Sequence, residues 1–302
     1  MTTSAASRLS LLSKPDPDPF RPEALADGVW WVGSTDANGG YGANPYLIVD
    51  GDEAIVLNSG SRADFPSVLM KILQTGIAPS TIGALIYQNH DARLCGSIPH
   101  LEDIIGRPDL RIVSAEASHM FLRHYCERAR LVGLDEIDHR LEFRSGRRLM
   151  FIPIPYAHSA GSFVTFDRGS GILFSGDLFS GGTSAPGFAE CIADRCHRCL
   201  TDDLGTCPKH DASCIVPDIL EFHRTMMPSE RALRFALERI ATIPFRAIAP
   251  QHGPIIHRRQ DILLLFARLL ALRGVGIDRI VGDRAFSDLG DTRALRERLG
   301  QS

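Results

Sequence analysis

Four short segments carry most of the side chains able to do chemistry: Gln88-Asn89-His90-Asp91-Ala92-Arg93-Leu94-Cys95-Gly96-Ser97, Ala157-His158-Ser159, Ser175-Gly176-Asp177 and Pro250-Gln251-His252-Gly253. They offer imidazoles and carboxylates (His90, Asp91, His158, Asp177, His252), which are donors that iron, manganese and zinc accept. Asn89 adds only a weak amide oxygen. Arg93 works against a metal, since a guanidinium is cationic at any relevant pH and cannot ligate. His90 reaches the set only if the strand end shifts, because adjacent strand residues point opposite ways.

A second group is a run of cysteines, Cys191-x4-Cys196-x2-Cys199-x7-Cys207-x6-Cys214, with His197 and His210 among them. In a reducing compartment such crowding favours a metal over disulfides. Thiolates suit zinc or an iron–sulfur cluster, and the spacing of Cys196 and Cys199 lets both reach one ion. The other spacings match no standard finger, so a redox-active thiol set and inert cysteines stay open. Cys95 and Cys126 stand apart and read as small buried side chains.

The elements that must position these groups sit in a chain of 302 residues, 44% hydrophobic and 23% charged, as for an ordinary soluble globular protein. The net charge of −3 and the lack of a Lys/Arg-rich run give no case for nucleic acid. Residues 1–22 hold no apolar run of signal-peptide length. The stretch Ile262 to Ile277 is interrupted by Arg268 and Arg273, so it reads as an amphipathic helix and not a membrane span. A cytoplasmic protein is expected.

Short β-branched or aromatic runs at Val29–Val32, Pro45–Val49 and Ala54–Leu57 predict an antiparallel meander. Asp64 is placed as the cap of a helix with apolar positions Phe65, Val68, Leu69, Ile72 and Leu73. Ile82–Tyr87 reads as a buried strand leading into the first chemical segment. A helix over Ile98–Ile105 and a strand over Arg111–Val113 follow. Leu149–Ile154, Ser162–Phe166 and Gly171–Phe174 form a second strand group. Ser229 caps a later helix, and Arg246–Ala249 is a strand leading to Gln251-His252-Gly253. Two face-to-face sheets with outer helices follow from this order. The division is a flexible tail at 1–24, one domain at 25–275 with a Cys-rich insertion at 186–216, and an extension at 276–302.

Taken in order, these segments resemble the metallo-β-lactamase fold, and within it the flavodiiron and oxygen-binding diiron (ODP-like) group, over roughly Trp30 to Leu272. The order and separations carry the likeness: 19 residues from His158 to Asp177, then 75 to His252. The resemblance implies a four-layer αββα sandwich. It also implies a first loop reading His-x-Glu-x-Asp before Gly-Ser, whereas hydrolases of the fold read His-x-His-x-Asp-His. Counting back from Gly96 sets Asn89 at the first His, Asp91 at the Glu, Arg93 at the Asp and Leu94 at a position often His. His158, Asp177 and His252 fall on the third ligand, the bridging carboxylate and the last ligand. Asn58 stands where the fold usually has an Asp. The first metal would use positions 89, 91, 158 and 177, and the second 93, 177 and 252.

What the resemblance implies for function is a non-haem iron protein, with one or two irons (zinc or manganese as substitutes), that is redox-active or senses O2 or NO. Arg93 is expected to replace the second metal by pairing with Asp177 or Asp91. No FMN-binding phosphate loop is visible, so electrons would come from a redox partner protein. The alternatives are a metal-free pseudoenzyme acting as a binding module and, behind it, a hydrolase of the glyoxalase II or lactonase type. If the chain is an enzyme, an oxidoreductase is expected before a hydrolase. A homodimer follows by analogy alone. His119, His124 and His139 read as surface residues, Trp30-Trp31 as rim and core, and His100 and His257 as candidate neighbours of the site.

Overall fold

The computed structural model describes residues 18, 20–34, 42–181 and 215–282. Seven strands form one sheet in sequential order: β1 (Glu23–Ala26), β2 (Val29–Trp31), β3 (Tyr46–Asp50), β4 (Glu53–Leu57), β5 (Ile82–Ile86), β6 (Arg111–Ser114) and β7 (Arg130–Gly133). The meander from β1 to β4 is antiparallel, as expected, and β4 to β7 run parallel. The second sheet has the order β12-β11-β10-β9-β8, with β8 (Arg140–Glu142), β9 (Arg148–Pro153), β10 (Phe163–Asp167), β11 (Ile172–Gly176) and β12 (Ala247–Pro250). Only its β11–β12 pair is parallel.

Alternation along the strands sorts residues into three cores. Leu57, Ile86 and Val113 of the first sheet meet Phe163, Phe174 and Ala249 of the second between the sheets. Their strand neighbours Val56, Leu85 and Ile112 face outward onto α1 (Phe65–Gln74) and α3 (Ile98–Ile105). On the other side Val164, Leu173 and Ile248 pack against α5 (Val216–Met226), α6 (Glu230–Ala241) and α7 (Arg259–Ala271). The result is the αββα sandwich. The remaining helices are short: α2 (Ala92–Cys95), α4 (Glu116–Leu122) and α8 (Ile277–Val281). Among the described residues no helix is long and apolar enough to cross a membrane.

Ser229 caps α6 as expected, accepting from Ala232 N at 3.2 Å. Asp64 is the N-cap residue of α1, as expected, but its side chain makes no capping hydrogen bond. Its carboxylate is taken by Ser61 N, Ser61 Oγ and Ser34 Oγ, which ties it to the turn before the helix. Glu23 and Ala24, assigned to the tail, are the first residues of β1. Trp31 is buried and Trp30 half-buried, as core and rim. The five clustered cysteines, His197 and His210 lie outside the described residues.

Candidate functional site

Parallel β4–β5 and β11–β12 bring four chain segments to one rim of the sandwich, at the carboxyl ends of these strands. Crossing bonds hold that rim together. Gln88, just past β5, donates from Nε2 to Phe174 O at 2.7 Å in the other sheet. Asn44, just before β3, donates from Nδ2 to Pro250 O at 3.0 Å and to Gly253 O at 2.8 Å, and its N–H reaches Gln251 O at 2.8 Å. Tyr46 Oη donates to Pro250 O at 2.7 Å, and Trp31 Nε1 donates to Asn44 Oδ1 at 2.8 Å.

Asp177 stands at the centre, 4% exposed. Gln251 Nε2 donates to its Oδ1 at 2.8 Å, and Asn89 Nδ2 donates to its Oδ2 at 2.5 Å. His158 Nδ1 lies 2.9 Å from the same Oδ2, although its N–H is poorly aligned with the line between them. That contact raises the His158 pKa above the ordinary value, outweighing burial. His158 is held at φ 89 in a tight loop, a conformation that non-glycine residues adopt at a cost.

His252 is buried and faces Asp177 from farther away, with Nε2 3.9 Å from Oδ1. Its Nδ1 bonds Gly42 O at 2.9 Å, which makes Nδ1 the protonated nitrogen. Nε2 can then accept from Gln251 Nε2 at 3.2 Å. Burial lowers its pKa, so this imidazole is neutral.

Asp91 and Arg93 form their own unit. Asp91 caps α2, accepting from Arg93 N at 2.8 Å. Arg93 then folds back on it: Nε is 3.1 Å and Nη2 2.6 Å from Oδ2, and Nε is 3.2 Å from Oδ1. Burial pushes the Asp91 carboxyl up, but these bonds outweigh it and hold it below the usual range. Of the two acids offered to Arg93 by the sequence, the structure selects Asp91. Asn89 Oδ1 accepts from Asp91 N at 2.9 Å, so Asn89 links this unit to Asp177.

His90 does not reach the set. It lies past the bend beyond β5, where strand alternation no longer applies, and its ring stacks on Phe121 of α4 with centroids 4.0 Å apart and planes 12° apart. His100 packs on Phe65 instead of the site, and no bond joins His257 to these groups. His124 is exposed, while His119 and His139 are half-buried. Leu94 and Cys95 are fully buried. Asn58 is buried at φ 53, and neither atom of its side-chain amide has a hydrogen-bond partner among the described residues.

Three contributors were not anticipated. Gln251 sits inside a recognised motif, yet only the fold shows it holding Asp177. Asn44 carries no sequence signature. His223 of α5 is buried and accepts from Phe179 N at 3.0 Å through Nε2, while its Nδ1 bonds Ile219 O at 2.7 Å. It anchors the turn that follows Asp177, and burial lowers its pKa to about 4. An amphipathic helix with an inward His is the one cue available for it.

A metal is poorly served by this arrangement. Among the described residues no group of three or more His, Cys, Asp or Glu side chains is placed to hold a metal ion. The donor chemistry agrees: position 89 is an amide, position 93 a guanidinium, and Asp91 is clamped by that guanidinium. The residues present do not fit a dinuclear centre.

A family model described as ODP family beta lactamase matches residues 42–253. A putative diflavin flavoprotein A 2 of Synechocystis is 23% identical, covering 70% of this chain and 33% of its own length. A putative diflavin flavoprotein A 1 of Nostoc is 25% identical with the same coverage, 70% and 33%. The chain therefore spans about a third of the length of the curated relatives it matches. Among solved structures, one titled as a peroxy diiron species of the chemotaxis sensor ODP aligns with a TM-score of 0.65 at 23% identity, over 83% of this chain and 93% of that one. The flavodiiron protein of Giardia intestinalis aligns with a TM-score of 0.67 at 20% identity, over 84% and 59%.

Proposed function

The chain belongs to the ODP family of beta lactamases, and we propose that it serves as a binding module in which a closed hydrogen-bonded network replaces dinuclear metal chemistry. One observation carries this reading: both oxygens of Asp177 are occupied by protein donors, Gln251 on one and Asn89 on the other, with the His158 ring close beside the second. A buried carboxylate with such partners is satisfied without a cation. Arg93 supplies to Asp91 the positive charge that a metal ion would otherwise bring. This makes the substitution compensatory and not merely a loss.

The test is metal content per chain in anaerobically purified protein, read with an unfolding curve in the presence and absence of a chelator. The reading expects less than one equivalent of iron, zinc or manganese and an unfolding midpoint indifferent to the chelator. Two equivalents of iron would overturn it.

A second reading keeps a single iron on Asp91, His158, Asp177 and His252 for a redox or O2/NO-sensing role fed by a partner protein. The convergence of His158 and His252 on Asp177 favours it, together with the fold's likeness to a structure titled as a chemotaxis sensor. Anaerobic loading with one iron, a spectral change on adding NO, and loss of both in His158→Ala would establish it. A hydrolase is less well supported, because neither Arg93 nor the buried Leu94 can serve a metal-bound hydroxide. Zinc or an iron–sulfur cluster on Cys191, Cys196, Cys199, Cys207 and Cys214 remains a separate proposal. Acid-labile sulfide and zinc assays on the same sample decide it.

A further inference from the structure

On the inner face of the first sheet, Leu57, Ile86, Val113 and Val132 form one apolar row of paired strand neighbours. The next row toward the amino ends of the parallel strands reads Ile55, Ala84, Arg111 and Arg130. Alternation puts both arginines on the face that looks toward the second sheet. A charge at a strand end is ordinary where it only meets water. Here it borders a cleft of about 470 Å3, at the end of the sandwich opposite Asp177. Ile55 and Ala84 give the cleft one apolar wall, and Leu141 of β8 with Phe143 just beyond it gives the other.

The backbone of β5 opens the same cleft. Gly83, which lines it, is skipped in the pairing of β4 with β5: Ala54 pairs with Ile82, and Ile55 with Ala84. A strand glycine beside such a bulge marks a place where a ligand or another backbone comes close. No backbone does so here, because a Cβ built on Gly83 meets nothing within 4 Å among the described residues beyond its chain neighbours. Charge in the cleft is uneven. Its acids are each held by an arginine, Glu53 by Arg144, Asp109 by Arg107 and Glu142 by Arg148. Exposed Arg111 forms no ion pair or side-chain hydrogen bond with any described residue.

We propose that this cleft binds a small organic carboxylate with an apolar body. The carboxylate takes the guanidinium of Arg111 in a two-pronged pair, the match a planar fork favours. The body enters over Gly83, between Ala84 and Phe143, and buries apolar surface of both sheets. The volume lies within the range of about 300–1,000 Å3 usual for small-ligand pockets. A bare anion leaves the apolar walls unmatched, and a neutral body leaves Arg111 unmatched. The cleft shares no residue with the Asp177 network, so the proposal stands apart from any reading of that network.

Phenylacetate titrated into the full chain, followed by amide chemical shifts, is expected to saturate at submillimolar concentration, with shifts centred on Gly83, Ala84, Arg111 and Phe143. Two probes divide its parts: 2-phenylethanol keeps the ring without the carboxylate, and inorganic phosphate keeps only an anion. Each is expected to bind at least tenfold more weakly. Arg111→Gln changes an exposed side chain and is expected to weaken phenylacetate at least tenfold with an unchanged circular dichroism spectrum. Gly83→Val fills the opening with a residue that strands favour, so the fold is kept and binding is expected to be lost. No saturable shift with phenylacetate, equal binding of either probe, or undiminished binding in either variant would each overturn the proposal.

Discussion

Arg93 and Asp91 are two residues apart in sequence and closed on each other in space, with Nη2 2.6 Å from Oδ2 and the backbone N–H of Arg93 bonded to the same carboxylate. The pair is a local device, formed within one turn of α2. It removes a carboxylate from the donor set before any distant residue is involved.

Reversing that charge is the most direct test of its effect. Arg93→Asp frees Asp91 and adds a carboxylate at the position the family resemblance assigns to a ligand. We expect the variant to bind Mn2+ or Fe2+ at least tenfold more tightly than the unaltered chain, measured by calorimetry under anaerobic conditions. Equal affinity would show that Asn89 or the Gln251 bond, and not Arg93, blocks the site. The stability cost should stay below about 1 kcal/mol, because Arg93 is partly exposed and surface pairs contribute little.

Gln251→Leu removes a donor from a nearly fully buried carboxylate. An unsatisfied buried acceptor costs about 1–3 kcal/mol, and more if it is charged. We therefore expect a loss of roughly 2 kcal/mol in urea unfolding. Adding Asp177→Asn should recover part of that loss, since the second change removes the stranded charge. Strict additivity of the two changes would mean that the bond contributes little.

Two histidines impose opposite pH slopes. The His223 pKa is lowered to about 4, so between the unfolded value near 6.5 and about 4 the unfolded chain binds a proton that the folded chain refuses. Stability falls as pH drops through that window, by on the order of 3 kcal/mol in total. The His158 pKa is raised, so its contribution is complete below the unfolded value and is lost as pH climbs through the folded one. Unfolding curves across pH should show the acid limb flattened in His223→Gln and the decline above the unfolded histidine value flattened in His158→Gln. An acid limb unchanged in His223→Gln would remove His223 from this account.

Gly253→Ala should destabilise by about 1–2 kcal/mol and disturb the His252 loop. The residue has φ 84, and an added Cβ would stand 3.2 Å from Gly181 N. A shift of the His252 ring resonances that accompanies the lower midpoint is the expected result.

Much of the sandwich could be read from the chain because alternating apolar residues mark its longer strands. The parts that escaped are short or atypical. The Glu-Ala-Leu-Ala run of β1 has no β-branched residue, β7 has only four residues, and α4 lies mostly at the surface. The ligand-loop register followed from Gly96, and the structure supplies its reason. A Cβ there would meet Ala92 O at 2.8 Å and Arg62 N at 2.9 Å. The candidate acids and imidazoles were visible by type, as was the choice facing Arg93. Their neutral supports were not. Asn44 and Gln251 act through amide bonds reaching across the fold, and an amide has no sequence pattern of its own. His90 was ambiguous until Phe121, from a helix the sequence did not announce, appeared beside it.

The bonds of Asn44, Tyr46 and Gln88 run from one sheet to the other, and they meet at the rim where Asp177 sits. The site is therefore also the clasp between the two halves of the sandwich. An occupant that tightened Asp177 or the His252 loop would slow the parting of the sheets. Its arrival would be recorded in slowed amide exchange along β3 and β12, far beyond the atoms it touches.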